Sequence, residues 1–226
     1  MTHIFIYFES NINDACYSTI PKDILKNNFT FVACNPLIPK SYDITKYHVI
    51  KEWELPVYNS DLQKQGYKEN SVLYHVYAND LHEKYDKIGF FNSFISFKDV
   101  DIRKYILNSD LKICYTCWEV RYDDAFEKSI TPKEYNAFLI QNYEKYFRKR
   151  INKQRSIPLL NLFIVDTTVY VNIMKWIEKL YSNYYKILKN PYTYISGIYE
   201  RVTGLALSQQ DITFIKMEKI SHCINM

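Results

Sequence analysis

The chain has 226 residues, of which 47% are hydrophobic and 24% charged, values of a globular protein and not of a disordered one. Its 29 Lys+Arg against 25 Asp+Glu leave a net charge of +4, short of a nucleic-acid footprint. Only 4 glycines occur, where an average chain of this length carries roughly 16, and GxGxxG and GxxxxGK[ST] are absent, which weighs against glycine-loop nucleotide folds.

Residues 3–8 are β-branched and aromatic and predict a buried opening strand; residues 28–33 predict a second, stopped by Asn35-Pro36 and Pro39. Residues 40–68 predict irregular structure with a short helix over 61–65. Val72, Leu73, Val76 and Tyr77 recur at three- and four-residue spacing, which predicts a helix over 69–81. Residues 87–91 predict a short strand continued by 92–97, residues 99–107 a short helix, and residues 111–118 a strand. Thr131-Pro132-Lys133-Glu134 carries Thr as N-cap, Pro at the first position and Glu at the third, a helix start that should run to about residue 148. An apolar strand over 159–165 leads to Asp166-Thr167-Thr168, which can cap an amphipathic helix through Tyr170, Ile173, Met174, Ile177 and Leu180. Residues 192–208 predict a helix broken or kinked near Gly197, and residues 213–223 a closing strand. Strands and helices alternate, so the expected fold is α/β, a mostly parallel central sheet flanked by helices in one domain over 1–226.

The cysteines, Cys16, Cys34, Cys114, Cys117 and Cys223, are odd in number and fit reduced thiols in a cytoplasmic compartment. Cys114 and Cys117 lie in a predicted strand, where residues three apart face opposite sides, so they read as structural and not as half a zinc site. No stretch reaches the ~18 apolar residues of a membrane span, and no leader precedes the first strand, so a soluble protein is expected.

Candidate chemistry is sparse. Asp99-Val100-Asp101 can chelate Mg²⁺ or Mn²⁺ against a diphosphate; equally, Asp99 can cap the helix and Asp101 complement its dipole. His75 and His82 read as a packed and a solvated imidazole, while His222 can reach a sheet-edge site. The basic run from Lys145 to Arg155 reads as a solvated helix end, with phosphate or RNA contact as the alternative. No GxSxG elbow supports a covalent hydrolase.

Three segments together resemble a family. Glu69-Asn70-Ser71-Val72-Leu73-Tyr74-His75-Val76-Tyr77-Ala78-Asn79 with Tyr85-Asp86-Lys87-Ile88-Gly89-Phe90-Phe91 is similar to a pattern of small GT-A-fold glycosyltransferases from capsular-polysaccharide clusters and large DNA viruses. Asn161-Leu162-Phe163-Ile164-Val165, with Tyr170 and Trp176, resembles that family's Asn-x-Phe-Ile strand and following helix. Tyr199-Glu200-Arg201-Val202-Thr203-Gly204-Leu205 resembles its aromatic-x-Arg-x-x-Gly helix. The order and spacing agree over about residues 3–215.

The resemblance implies transfer of a sugar from a nucleotide-sugar, UDP- or GDP-linked, to a glycan or protein-linked acceptor. Phe8 and Glu9 would face the base or ribose, and Glu69, Ser71 and Asn92 the phosphate or sugar. Asn161 and Tyr199 would face the acceptor, Glu200 would be the base, and Arg201 would orient it or offset charge. Against these stand plain structural roles: a surface pair for Glu200-Arg201, a dipole complement for Glu69, a backbone hydrogen bond for Asn161. Where the family has an acidic metal-binding triplet, this chain reads Asn92-Ser93-Phe94. That departure implies weakened, metal-independent or lost transfer, and the alternative is an inactive glycan- or nucleotide-binding partner protein.

Overall fold

The computed structural model describes residues 1–9, 11–34, 46–64, 69–127, 133–187 and 195–222. The expected stops at Asn35-Pro36 and Pro39 and the Thr131-Pro132 helix start lie outside these residues. In chain order come β1 (Thr2–Phe8), a 3-10 turn (Asp14–Cys16), α1 (Lys22–Asn28), β2 (Phe29–Ala33), β3 (Val49–Lys51), a second 3-10 turn (Glu52–Glu54), α2 (Ser60–Lys64) and α3 (Glu69–Ala78). Next are β4 (Lys87–Asn92), β5 (Ile95–Ser96), α4 (Ile102–Ile106), β6 (Ile113–Thr116), β7 (Glu119–Val120), a π turn (Asp123–Glu127) and α5 (Lys133–Phe147). The chain continues through β8 (Ile157–Pro158), β9 (Phe163–Asp166), α6 (Thr167–Ile187), α7 (Ile195–Ser208), β10 (Thr213–Lys216) and β11 (Ser221–His222).

Seven strands form one sheet in the order β10-β6-β9-β4-β1-β2-β3. Its ladders are parallel except the two that β9 makes with β4 and β6. The fold is α/β with a mostly parallel sheet, as the alternation of elements predicts. Because β9 runs backwards, its first residue, Phe163, stands level with Thr116, the last residue of β6. The carboxyl ends of β1–β4 and β6 and the amino end of β9 therefore share one edge.

Side-chain alternation splits the core in two. Phe5, Val32, Ile88, Phe90, Cys114, Phe163 and Val165 pack under α3, α5, α6 and α7. Ile4, Ile6, Phe8, Phe31, Phe91, Tyr115 and Ile164 pack under α1, α4 and the Asp14–Cys16 turn. Cys114 and Cys117 fall in opposite halves, as a two-residue period requires, and both are free, as is Cys34. Cys16 is disulfide-bonded, which corrects the expectation of reduced thiols throughout.

Asp166 caps α6, its Oδ1 accepting from Val169 N at 3.1 Å. Elsewhere the reading is corrected. The short helix begins at Ile102 with Asp101 in the cap position, where it makes no side-chain cap bond, and Asp99 lies outside the helix. The closing strand is interrupted, because β10 extends the main sheet while β11 pairs antiparallel with β5. Residues 195–208 form one continuous helix through Gly197; residues 192–194 lie outside the described ones. His82 is buried between Tyr77 and Tyr170, not solvated. At Gly204 the helix α7 meets β8 so closely that a Cβ would overlap the Pro158 carbonyl oxygen.

Candidate active site

The parallel strands end where the polar side chains collect, in the crevice that open α/β sheets offer. Tyr7, on the α3 face of β1, places its hydroxyl between Glu69, at the start of α3, and Asn92, at the end of β4. Asn92 also accepts Phe94 N at 3.1 Å through Oδ1, which fixes its amide with Nδ2 toward Tyr7. One residue along α3, Asn70 accepts from Asn161 Nδ2 at 2.9 Å in a buried contact. The preceding residue, Leu160, donates its N–H to Glu200 Oε1 at 2.5 Å. A string of polar groups thus crosses the edge from β1 through α3 and the segment before β9 to α7.

That segment is strained. Leu160 has φ 65° and Asn161 φ 49°. Asparagine tolerates the left-handed region, but leucine there costs roughly 1–2 kcal/mol. The bonds from Leu160 to Glu200 and from Asn161 to Asn70 hold the segment in place. Asn161 Oδ1 is buried and has no hydrogen-bond partner within the protein.

The electrostatics are acidic on the β1–β3 side. Burial, and then the charges of Glu52, Glu9 and Glu69, push the Cys34 thiol far above its ordinary value. Burial and the Glu69 carboxylate do the same for the Tyr7 phenol, which stays a proton donor. Glu52 is fully buried and accepts from His75 Nδ1 at 2.5 Å, while His75 Nε2 accepts Asn59 N at 2.8 Å. That pair of contacts assigns a neutral imidazole with its proton on Nδ1. On the α7 side, burial raises the Glu200 carboxyl above the usual range, with Leu160 N–H and Arg201 pulling it back.

Of the residues singled out from sequence, Glu69, Asn92, Asn161 and Glu200 meet in this string, Arg201 follows on α7, and Glu9 stands exposed just past β1. Phe8 does not face the crevice: its ring is buried on the α1 side, because the period of two turns Tyr7 and not Phe8 toward α3. Ser71 is buried within α3. The side chains of Tyr199 and His222 lie outside the described residues. Asp99 and Asp101 follow Phe97, whose N–H donates to Cys16 O, and Lys98, whose carbonyl accepts from Thr19 Oγ1, both on the α1 side, away from Glu69. The basic run lies at and beyond the end of α5 and is mostly exposed, as a solvated helix end should be, but two of its members have a second task. Lys149 Nζ donates to Gln209 O at 2.8 Å and Arg155 Nη1 to Ser208 O at 2.9 Å, so these cations cap the carbonyl end of α7. A cavity of about 490 Å³ opens at the opposite sheet edge among Thr2, Asn28, Arg103 and Asn108, apart from every residue singled out.

No family model matches the chain, and no curated protein sequence matches it. Among solved structures, the WbbM bifunctional glycosyltransferase in its apo form superimposes with a TM-score of 0.62 at 13% identity, covering 99% of this chain and 45% of that one. The fold is of the GT-A type. The chain spans under half the length of WbbM, so the likeness concerns one fold and not a whole enzyme. The galactosyltransferase LgtC with donor and acceptor sugar analogs (10% identity, TM-score 0.42, 95% of this chain and 73% of that one) is too distant to carry an argument. So is the mannosyltransferase Ktr4p from S. cerevisiae (13% identity, TM-score 0.40, 95% and 68%).

The residues where the resembling family holds its metal do not fit a divalent cation. Asn92 spends its Oδ1 on Phe94 N, and Phe94 has no donor side chain. Among the described residues no three His, Cys, Asp or Glu side chains stand together as a metal site. No helix among the described residues is long and apolar enough to cross a membrane.

Sequence reasoning missed Tyr7, Asn70 and the Glu52–His75 pair. Strand parity could have found Tyr7, since His3, Phe5 and Tyr7 share a face. Nothing local marks Glu52, whose partner lies 23 residues away.

Proposed function

We propose that the chain is a glycosyltransferase that moves a hexosyl or pentosyl group from a UDP- or GDP-sugar to a hydroxyl of a glycan or protein-linked acceptor. One observation carries the reading. In a GT-A-type fold, polar groups from Tyr7 and Glu69 to Glu200, joined by hydrogen bonds and by chain adjacency at Glu69-Asn70 and Leu160-Asn161, lie along the carboxyl-end crevice of the sheet.

Each group has a role that its chemistry permits. Glu9 accepts from ribose hydroxyls or base N–H groups, since a carboxylate there repels phosphate. The diphosphate lies on the α7 side, where Arg201 offsets its charge, and Asn92 donates to the donor sugar through the Nδ2 hydrogen that Tyr7 leaves free, while Tyr7, its one O–H given to Glu69, orients that amide. Asn161 Oδ1, buried and unsatisfied, accepts from an acceptor hydroxyl. Glu200 takes the acceptor hydroxyl's proton as the new bond to C1 of the sugar forms and the bond from C1 to the diphosphate oxygen breaks, the diphosphate leaving with the electron pair. The raised carboxyl brings Glu200 nearer to the pH at which a base works best. No step runs through a metal, because the residues at Asn92 do not fit one.

A second reading, a binding protein without turnover, draws on Asn92, whose amide is already engaged by Tyr7 and Phe94. Release of free sugar from UDP- and GDP-sugars separates the two. The transferase reading expects slow hydrolysis that Glu200→Gln abolishes. Nucleotide binding without sugar release from any donor would leave only the second.

A further inference from the structure

The tyrosine-rich composition suggests a surface of rings, yet the tyrosines whose side chains are described are buried or half-buried. Among the described residues, the exposed aromatic side chains are Phe94, 58% exposed, and Trp118, 54% exposed. Both stand just past the crevice edge of the sheet. Phe94 lies two residues beyond β4, in the turn fixed by its own N–H to Asn92 Oδ1. Trp118 lies two residues beyond β6, and its carbonyl accepts Leu159 N at 3.0 Å. The next amide, Leu160 N–H, is the one that binds Glu200. The backbone of Phe94 is thus tied to Asn92, and that of Trp118 to the residue before Leu160. Strands β4 and β6 flank β9, so the rings rise from strands about 10 Å apart on either side of the segment carrying Asn161.

We propose that Phe94 and Trp118 form an aromatic platform on which the acceptor glycan stacks while its hydroxyls reach Asn161 and Glu200. The inference rests on the transferase reading and names the side on which that reaction takes its acceptor. A pyranose has an apolar C–H face and a polar rim. Two isolated exposed rings at the strand ends that carry Asn92 and Glu119 match both; a protein partner would want a continuous apolar patch instead.

The test uses the protein's own tryptophans. Trp176 is buried and Trp53 half-buried, so exposed Trp118 should dominate any ligand-induced change in emission. The probes are lactose, cellobiose, maltotriose, mannobiose and chitobiose, each titrated by fluorescence and by calorimetry, alongside UDP and GDP. We expect saturable saccharide binding that shifts emission. Trp118→Ala or Phe94→Ala should weaken it roughly threefold to tenfold each, with UDP or GDP affinity and melting temperature unchanged. Trp118→Tyr should restore most of the affinity. Saccharide binding indifferent to both rings, no saccharide binding at all, or an equal loss of nucleotide affinity would each overturn the platform. The two readings fail separately. Saccharides bound through Trp118 with no nucleotide bound would sink the transferase and keep the platform, and nucleotide binding with inert rings would do the reverse.

Discussion

Replacing Gly204 with alanine sets two effects of opposite sign against each other. In an ordinary helix interior, alanine gains about 1 kcal/mol over glycine. Here α7 lies against β8, and the new Cβ would overlap the Pro158 carbonyl oxygen and stand 3.0 Å from Ile157 Cγ2. The overlapped atom is backbone in a paired ribbon, so no rotamer change relieves it. Overpacking costs about 1–3 kcal/mol, and an immovable neighbour puts this site at the upper end. The net expected loss is about 2 kcal/mol, which for a chain of this size lowers the melting temperature by about 4–8 °C. Calorimetric melts of Gly204→Ala and wild type check this. Glu200 sits one turn earlier on the same helix, so sugar transfer should also fall at temperatures where the variant is fully folded. A variant that melts at or above the wild-type temperature would refute the close approach of α7 to β8, and with it the placement of Glu200.

Other expectations follow from the same geometry. Gly89→Ala should also destabilise, by about 1–3 kcal/mol, because its Cβ would stand 2.8 Å from Ile164 Cγ1, a branch atom of a stiff buried side chain, and 3.2 Å from the Phe163 carbonyl oxygen; a melt at or above the wild-type temperature would refute that packing. Glu200→Gln should lower kcat at least ~100-fold and remove an acid limb in the pH–rate profile that lies above the usual carboxylate range, since burial raises this carboxyl. An unchanged profile would exclude it as the base. His3 is lowered to about 4 by burial, then by His48, from an unfolded value of 6.5. With the folded value below the unfolded one, its stabilisation is present above pH 6.5 and drains as pH falls to about 4, by about 3 kcal/mol in all; His3→Gln should flatten that part of a stability–pH curve measured by urea melts. His75→Ala takes the imidazole proton from the buried Glu52 carboxylate and should cost about 3 kcal/mol, read as a lower urea midpoint.

The architecture was legible because it depends on period and punctuation. Alternation of strand and helix implied a parallel sheet, and Asp166 announced the cap of α6. The reversal of β9 was not legible, since a four-residue apolar strand carries no mark of its direction. The candidate site divides the same way. Glu69, Asn161 and Glu200 come from segments far apart in sequence, and family likeness pointed to them, not any local pattern. Phe8 was placed in the crevice by its position at a strand end, when parity puts Tyr7 there. The positive φ at Leu160 leaves no trace in a leucine. The tyrosines suggested a sugar-binding surface, but large rings with a polar tip also suit the core, where Tyr17, Tyr105, Tyr143 and Tyr170 lie buried.

The claim that this edge still holds a nucleotide-sugar is tested most directly by calorimetry with UDP, GDP and their sugars, in Mn²⁺ and again in EDTA. Saturable binding of one nucleotide class is expected, equal in Mn²⁺ and EDTA, weakened by Arg201→Ala and, for the nucleotide-sugar, by Asn92→Ala. Binding that vanishes in EDTA, or that survives both substitutions unchanged, would contradict the claim.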